Sequence, residues 1–340
     1  LPCARSEVQH FAMDASAGQR LMEELAREDR VLVPIHPLSV NGFSDRDLIR
    51  SGHISFSASY RTAFYEPEAG GPMAGLYDER SILMLKLHLA EPLPGIPGDR
   101  RLTPETLERC VWMSRILEQE MSEESLASEL SLIPESFGVG SREGGFLLRV
   151  MPDVPLVPVF SLYSRDPGDP EKAPAIVSSV RSVYGDDARA AAAEAGEWLA
   201  RPLMSPVLAG FRRGFSLEMH AQNTLVTLGE RQPIDRVYFR DMEGVLLFDR
   251  LRDESDLPAL YRDGGQRQWP APSQSAQRLF NRNIDHDLKR IFDGVLGAMD
   301  KSGYFQHDDL AIARKSIRRA SNAVIVESGL DHFGRAGRLW

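Results

Sequence analysis

The chain has 340 residues, of which 42% are hydrophobic and 26% charged, and its formal net charge at pH 7 is −9. These proportions exclude a disordered, collagen-like or coiled-coil chain, and the negative charge makes nucleic acid and anionic membranes poor default partners. Two cysteines make neither a disulfide framework nor a cysteine-type zinc site. No apolar run approaches the roughly 18–20 residues of a membrane span and no signal peptide pattern opens the chain, so a cytoplasmic protein is expected.

Strands and helices are predicted in separate blocks along the chain. In the first half the patterns predict strands at 31–35, 54–60, 81–89 and 145–150, a helix starting at the cap Thr103 and a second at 124–132. In the second half they predict helices at 186–211, 275–299 and 308–328, and strands at 215–219, 224–228, 236–239 and 245–248. Segregated blocks indicate an α+β fold with antiparallel or mixed sheets, not a doubly wound one. A polar stretch at 164–172 predicts a boundary between regions 1–163 and 164–340.

The densest polar motif begins in the predicted strand at 215–219 and continues to residue 223. Glu218, His220 and Gln222 stand two residues apart, so in a strand their side chains share one face, next to Asn223. Either this face is solvated, or it forms the floor of a polar pocket. About twenty residues later Arg-Asp-x-x-Gly follows another predicted strand, where the carboxylate of Asp241 can hold Mg²⁺.

A second constellation collects cations and hydroxyls in the first half. Its members are Ser59, Arg61, Thr62, Lys86 and Arg100. In an acidic protein this local set resembles a cradle for polyphosphate, although no Gly-rich phosphate loop is present. Lys86 interrupts an apolar strand, so it is either a guard on an edge strand or a buried charge for phosphate. In the second case we expect it to have no protein partner.

Two further residues are candidates for contact with substrate. His36 follows a predicted strand and precedes a proline. Arg149 ends the apolar strand at 145–150 and is either an ion-pair anchor or a clamp for a substrate carboxylate. Neither alternative can be preferred from the sequence, and no zinc-site spacing or Gly-x-Ser-x-Gly elbow is found.

Together these motifs resemble one family. Glu218-x-His220-x-Gln222-Asn223 followed by Arg240-Asp241-x-x-Gly244 resembles the C-terminal signature of the NRPS-independent siderophore synthetases, the aerobactin-synthetase-like family. The His36-Pro element, Ser59-x-Arg61-Thr62, the Lys86 strand and the segment at Arg100 resemble family elements in the same order. The chain begins just before the later His-Pro of the family, so a short or N-terminally truncated form is expected.

The resemblance implies a cupped-hand architecture with a central cleft, and an ATP-dependent ligase. With ATP and Mg²⁺ as cofactors, such an enzyme adenylates a citrate-like di- or tricarboxylic acid and joins it to an amine or hydroxyl. By carry-over from the family, ATP would be contacted by the residues of the second constellation, Ser59, Arg61, Thr62, Lys86 and Arg100, and by His220, Gln222, Asn223 and Asp241. Glu218 and Asp241 would hold the metal, His220, Arg61 and Lys86 would be catalytic, and His36 and Arg149 would face substrate. The family is commonly dimeric, so a homodimer is one expectation.

Two other functions fit parts of the pattern. In a kinase-like phosphotransferase, His220 to Asn223 and the later Asp241 would serve γ-phosphate and Mg²⁺, but a catalytic Asp and a Gly-rich loop are missing. A catalytically silent homologue would bind a carboxylate ligand or a partner synthetase. Release of AMP and pyrophosphate, of ADP, or of neither product distinguishes these alternatives.

Overall fold

A computed structural model describes residues 1–36, 54–56, 61–65, 82–89, 101–121, 131–142, 144–166, 168–169, 171–212, 215–247 and 276–334. The described residues pack as two units. The first draws on Leu1–Glu120, Ile133–Asp153 and Asp241–Glu243, and the second on Met121–Leu132, Val154–Arg240 and Gly244–Trp340. The three-residue segment Asp241–Glu243 therefore packs with the first unit although both its flanks belong to the second. The boundary predicted between residues 163 and 164 stays a prediction about domains.

Short strands and two α-helices make up most of the described part of the chain as far as residue 150. They are β1 (Pro2–Ala4), β2 (Gln9–Ala12), α1 (Ala15–Leu25), β3 (Ala26–Arg27), β4 (Arg30–Leu32), β5 (Ile54–Phe56), β6 (Thr62–Tyr65), β7 (Leu83–Leu87), α2 (Pro104–Met121), β8 (Ser131–Ile133), β9 (Phe137–Gly140) and β10 (Gly145–Val150). The strand predicted at 145–150 is confirmed. The prediction of a helix at 124–132 is wrong for residues 131 and 132, which belong to β8. Residues 124–130 lie outside the described part of the chain.

A six-stranded sheet organises the first unit. Its order is β2-β9-β10-β7-β6-β5, and every neighbouring pair is antiparallel. One face packs on α1 through a buried apolar cluster that includes Leu21, Leu85 and Leu148. On the other face Leu147 packs against the apolar side of α2. Side chains alternate across a strand, so Lys86, the cross-strand partner of Leu147, shares the face covered by α2.

The described residues of the second unit form mainly helices, together with two small sheets. Its elements are β11 (Val157–Pro158), α3 (Val159–Tyr163), α4 (Ala175–Tyr184), α5 (Ala188–Ala193), a π-helical turn (Gly196–Ala200), α6 (Arg201–Arg212), β12 (Phe215–Ser216), β13 (Thr224–Thr227), β14 (Arg236–Arg240), β15 (Leu246–Leu247), α7 (Ala276–Asn281), a π-helical segment (Arg282–Leu288), α8 (Lys289–Lys301) and α9 (His307–Glu327). One sheet has the order β11-β13-β14-β8 and the other pairs β12 with β15. The helical blocks agree with the sequence prediction, and the antiparallel sheets beside them confirm the α+β class.

Helix α9 packs closely against the π-helical turn that begins at Gly196. A Cβ atom at Gly196 would lie 2.6 Å from the Cβ of Ala320 and 2.7 Å from the carbonyl oxygen of Ser316. The Ser316 hydroxyl accepts from the Gly196 amide at 3.0 Å and donates to the carbonyl of Ala193 at 2.6 Å. This contact requires a residue without a side chain, and the hydroxyl satisfies backbone groups where the helical geometry changes to π.

Candidate active site

Lys86 lies in the interior of the six-stranded sheet. Strand β7 pairs with β10 on one side and β6 on the other, where Thr62 is the cross-strand partner of Lys86. The Lys86 side chain is only 3% exposed. Because β7 is not an edge strand, the interpretation of Lys86 as an edge guard is wrong, and the buried-charge alternative describes its position.

The segment after β14 brings two carboxylates to Lys86. Its ammonium forms a short hydrogen bond with Asp241 Oδ1 and donates to Glu243 Oε2 at 2.8 Å. Glu243 Oε2 also accepts from Arg61 Nη2 at 3.2 Å, and its Oε1 lies 3.7 Å from Arg109 Nη2. The expectation that Lys86 lacks a protein partner is therefore wrong. These residues from distant parts of the sequence form one ion-pair cluster, which we call the Lys86 cluster. Its members are Arg61, Lys86, Arg109, Asp241 and Glu243.

The carboxylates and the buried cation stabilise each other's charged forms. Burial by itself would lower the pKa of Lys86, but Asp241 and Glu243 raise it overall. Burial would raise the pKa of Asp241, yet Lys86 and then Arg149 hold it well below its usual range. The pKa of Glu243 is likewise lowered, against its burial, by Lys86 and Arg61. Lys86, Asp241 and Glu243 are therefore all charged at neutral pH.

A fully buried ion pair lies next to the cluster. Arg149, 2% exposed, donates through Nε to Glu135 Oε1 at 3.0 Å and through Nη2 to the same oxygen, and Glu135 is 0% exposed. Arg149 Nη2 is also 3.7 Å from Asp241 Oδ1. Of the two alternatives open for Arg149, this geometry supports the ion-pair anchor. The expectation that Arg149 clamps a substrate carboxylate is corrected accordingly, because its guanidinium is buried against protein carboxylates.

The motif at 218–223 forms turns instead of the predicted strand. Strand β12 ends at Ser216. Beyond it the amide of His220 bonds to the carbonyl of Glu218 at 2.9 Å, and the amide of Asn223 bonds to the carbonyl of His220 at 3.0 Å. The prediction that Glu218, His220 and Gln222 share one strand face is therefore wrong. The alternation of polar and apolar residues reflects buried Leu217 and Met219 rather than strand pairing.

The side chains of Glu218, His220 and Asn223 have contacts within the second unit. Glu218 forms a short ion pair with Arg282, from the π-helical segment. His220 Nδ1 accepts from the backbone amide of Gln222 at 3.2 Å, so a neutral ring carries its proton on Nε2. The buried Asn223 amide group donates to the carbonyl of Glu218 at 3.5 Å.

Two residues of Arg-Asp-x-x-Gly shape the backbone around the turn. Arg240 donates to the carbonyl of Gln222 at 3.1 Å, and its amide bonds to the carbonyl of Asn223 at 3.0 Å. Gly244 lies directly against Glu218: an added Cβ atom would be 2.9 Å from the Cβ of Glu218 and closer still to its carboxylate. The glycine of the motif is therefore required by the close approach of a side chain.

Most of the predicted site residues fall into two groups. Arg61, Thr62, Lys86, Arg149 and Asp241 lie together in the first unit, where the structure adds Glu243, Arg109 and Glu135. Glu218, His220, Gln222 and Asn223 form the turn in the second unit. His36 is buried at 8% exposure, and its predicted contact with substrate stays a prediction. Ser59 and Arg100 lie outside the described residues.

Sequence reasoning missed Glu135 and Arg109 and passed over Glu243. A signal for Glu135 was present, since an arginine in an apolar strand must find a buried carboxylate. Arg109 gives no such signal, because its position on the exposed side of a predicted helix is ordinary for an arginine.

For Mg²⁺, the chemistry of the Lys86 cluster fits a site completed by substrate. Asp241 and Glu243 offer two carboxylates, and this ion is usually held by one or two carboxylates together with substrate phosphates. Among the described residues no group of three or more His, Cys, Asp or Glu side chains could hold a metal by itself. The role of Glu218 and Asp241 as metal ligands stays a prediction.

A family model of sequences matches part of this chain, whereas solved structures match nearly all of it. A family model described as "Ferric iron reductase FhuF-like transporter" matches residues 196–299, a range that contains both C-terminal motifs. No curated protein matches the sequence. None of the helices in the described part of the chain is long and apolar enough to cross a membrane.

Solved synthetases match nearly the whole chain. Aerobactin synthetase IucC from a hypervirulent pathotype of Klebsiella pneumoniae is 18% identical, with a TM-score of 0.63 over 97% of this chain and 62% of its own. ATP-bound aerobactin synthetase IucA from the same source is 17% identical (TM-score 0.62, 97% and 63%). The petrobactin biosynthesis protein AsbB from Bacillus anthracis str. Sterne is 14% identical (TM-score 0.56, 93% and 62%).

The present chain thus spans about 62% of the length of the synthetases that it matches. At these identities the likeness concerns the fold. The chain has the fold of the NRPS-independent siderophore synthetases, which confirms the resemblance indicated by its motifs.

Proposed function

We propose that the protein is an ATP-dependent ligase. It adenylates a citrate-like di- or tricarboxylic acid and condenses the product with an amine or hydroxyl, as in siderophore or related natural-product biosynthesis. The observation that carries this proposal is the Lys86 cluster, in which a buried cation from one motif pairs with both acidic residues of Arg-Asp-x-x-Gly.

The cations of the cluster suit a substrate that carries phosphates. Arg61 is 12% exposed and Lys86 3%, so both charges are largely shielded from water. A fixed cation in a poorly solvated position stabilises developing negative charge more strongly than one in water, and it needs little reorganisation. In the proposed reaction Arg61 and Lys86 bind the phosphates and stabilise pyrophosphate as it leaves.

In the absence of ATP, the carboxylates of the cluster are the ion-pair partners of its cations. Asp241 and Glu243 are 25% and 31% exposed, so water and ligands reach them more easily than they reach Lys86. When bound, Mg²⁺ would be held by these two carboxylates and would supply positive charge to the phosphates.

The turn of the second unit supplies neutral hydrogen-bonding groups. With Nδ1 of His220 engaged by the amide of Gln222, Nε2–H is the donor that remains on a neutral ring. We assign it to an oxygen of the adenylate, and the side chains of Gln222 and Asn223 to the nucleotide. These roles for His220, Gln222 and Asn223 rest on the family resemblance and on the geometry of the turn.

The test is ATP–pyrophosphate exchange across a panel of di- and tricarboxylic acids. We expect Mg²⁺-dependent exchange with at least one acid, and AMP as the nucleotide product once an amine or hydroxyl acceptor is added. A Lys86→Met variant should lose exchange, and Lys289→Met, which removes an exposed lysine of α8, should retain it.

Two results would overturn the proposal. ADP without AMP or pyrophosphate would identify a phosphotransferase. Binding of ATP or of a carboxylic acid without turnover of any acid in the panel would identify a silent homologue.

A further inference from the structure

The buried residues Glu135 and Arg149 neutralise each other's charge. They also make polar contacts with other groups, which this neutralisation does not require. Glu135 Oε1 accepts twice from Arg149, and Oε2 accepts from the Ser114 hydroxyl at 3.2 Å. Both oxygens also face the backbone amide of Met242, at 3.4 and 3.2 Å. The carboxylate thus reaches into the segment that carries Asp241 and Glu243.

Arg149 reaches the same segment from the other end of the pair. Its Nη2 atom, already bound to Glu135, lies 3.7 Å from Asp241 Oδ1. Asp241 has a positive φ of 76°, a left-handed conformation that costs free energy for a residue with a side chain. Such a conformation persists where the surroundings hold it, and here Glu135 bonds the amide that follows it while Arg149 attracts its carboxylate.

We propose that Glu135 and Arg149 are positioning residues that fix the Asp241–Glu243 segment, so that its two carboxylates meet Lys86. The consequence for ATP rests on the proposed function. The positioning itself rests only on contacts within the first unit. A simple core contact does not explain the arrangement, because a buried ion pair is often no more stabilising than apolar residues of similar volume.

The experiment replaces both residues together, as Glu135→Met with Arg149→Met. This double variant leaves no buried charge unpaired, and the Ser114 hydroxyl keeps its bond to the carbonyl of Cys110 at 2.9 Å, so the fold should survive. The Met242 amide loses its acceptor, and its hydrogen exchange, followed by mass spectrometry, should accelerate. In the ATP–pyrophosphate assay the KM for ATP should rise about 10- to 100-fold, as when a supporting partner is removed.

Two further variants separate positioning from general destabilisation. Glu135→Gln keeps an acceptor for Met242 but leaves the buried Arg149 guanidinium without its carboxylate partner. It should therefore lower the melting temperature, while its effects on amide exchange and on the KM for ATP should be smaller than those of the double variant. Leu148→Ala opens the apolar core on the opposite face of β10. It should lower the melting temperature while leaving Met242 exchange and the KM for ATP near those of the wild type.

The outcomes distinguish this proposal from the proposed function. If Met242 exchange in the folded double variant equals that of the wild type, the positioning role is refuted, whatever the ATP assay shows. Faster exchange with an unchanged KM for ATP would refute the link between the segment and ATP. If the wild type shows no ATP-dependent reaction, the proposed function fails, and the exchange measurement still decides the positioning role.

Discussion

Replacing Lys86 with methionine should destabilise the first unit, because the lysine is the cation shared by two carboxylates. Methionine keeps much of the side-chain volume in the strand and removes only the charge and its donors. Asp241 and Glu243 would then lose the group that most strongly favours their ionised forms. The perturbation is electrostatic and should leave little cavity behind.

The expected magnitude follows from the exposure of the partners. Breaking a fully buried pair typically costs about 3–5 kcal/mol. Asp241 and Glu243 are 25% and 31% exposed, and Arg149 and Arg61 remain close to them. Rehydration and the remaining cations offset part of the loss, so we expect about 1–3 kcal/mol at pH 7. The exposed pair of Lys289 and Asp293 on α8 supplies the control, where Lys289→Met should cost less than about 0.5 kcal/mol.

The pH dependence tests the cause. The pKa of each carboxyl is lowered in the folded protein, so its contribution to stability is present above the unfolded pKa, about 4. That contribution is lost as the pH falls through the folded pKa. The difference between wild type and Lys86→Met should therefore be largest near pH 7 and shrink below about pH 4.

Urea unfolding at several pH values, with Asp241→Asn added to complete a double-mutant cycle, measures the coupling directly. A loss at pH 7 no larger than that of Lys289→Met would refute the reasoning, and so would a loss that does not change with pH.

Three further predictions concern backbone features. Gly244→Ala should displace Glu218 and reduce ATP–pyrophosphate exchange at least about 10-fold, and activity equal to that of the wild type would show that Glu218 moves aside freely. Gly196→Ala should cost about 1–3 kcal/mol in thermal or urea unfolding through overpacking. The control is Gly297→Ala, where an added Cβ atom meets nothing within 4 Å. This substitution should be neutral or stabilise the protein by up to about 1 kcal/mol. Equal effects of Gly196→Ala and Gly297→Ala would contradict the argument that Gly196 is required by close packing. Asp241→Gly should be more stable than Asp241→Ala by about 1 kcal/mol in the same assay, because only glycine adopts the positive φ without cost; equal stability would show that the backbone there is not strained.

Local patterns were enough to predict the elements that have strong local signals. The strand at 145–150 is an apolar run interrupted by Arg149, and the long helices at 289–301 and 307–327 have clear apolar stripes. Helix α1 was missed although its signals were present: Asp14 caps it by accepting from the amides of Ser16 and Ala17, and Leu21 and Leu25 mark its buried side.

The turn at 218–223 shows why alternation alone can mislead. Leu217 and Met219 are buried while Glu218 and His220 are half-buried, which is the pattern of a strand. The backbone instead bonds to itself, and the His220 carbonyl accepts the amides of both Asn223 and Thr224. Alternating burial arises wherever a chain lies along a core surface, so it predicts strand pairing only when a partner strand is available.

The pairing of charges lay beyond local prediction for a different reason. Both Lys86 and Arg149 stand out in the sequence as charges in apolar strands, and such charges demand partners. Their partners come from a segment more than 90 residues further along the chain, and from Glu135, which itself follows a proline in an unremarkable sequence. Only the antiparallel order β10-β7-β6 puts Arg149, Lys86 and Thr62 on one face of the sheet. Topology therefore decides which of several available carboxylates becomes the partner.

The Arg-Asp-x-x-Gly motif combines several physical requirements in five residues. The arginine bonds the turn at Gln222, and the aspartate adopts a left-handed conformation and meets a buried lysine. The amide that follows the aspartate is held by a buried glutamate, and the glycine leaves room for Glu218. Each requirement restricts one position, and none of them by itself demands catalysis. The role proposed above for this segment, toward a charged substrate, rests on its pairing with the buried cation Lys86.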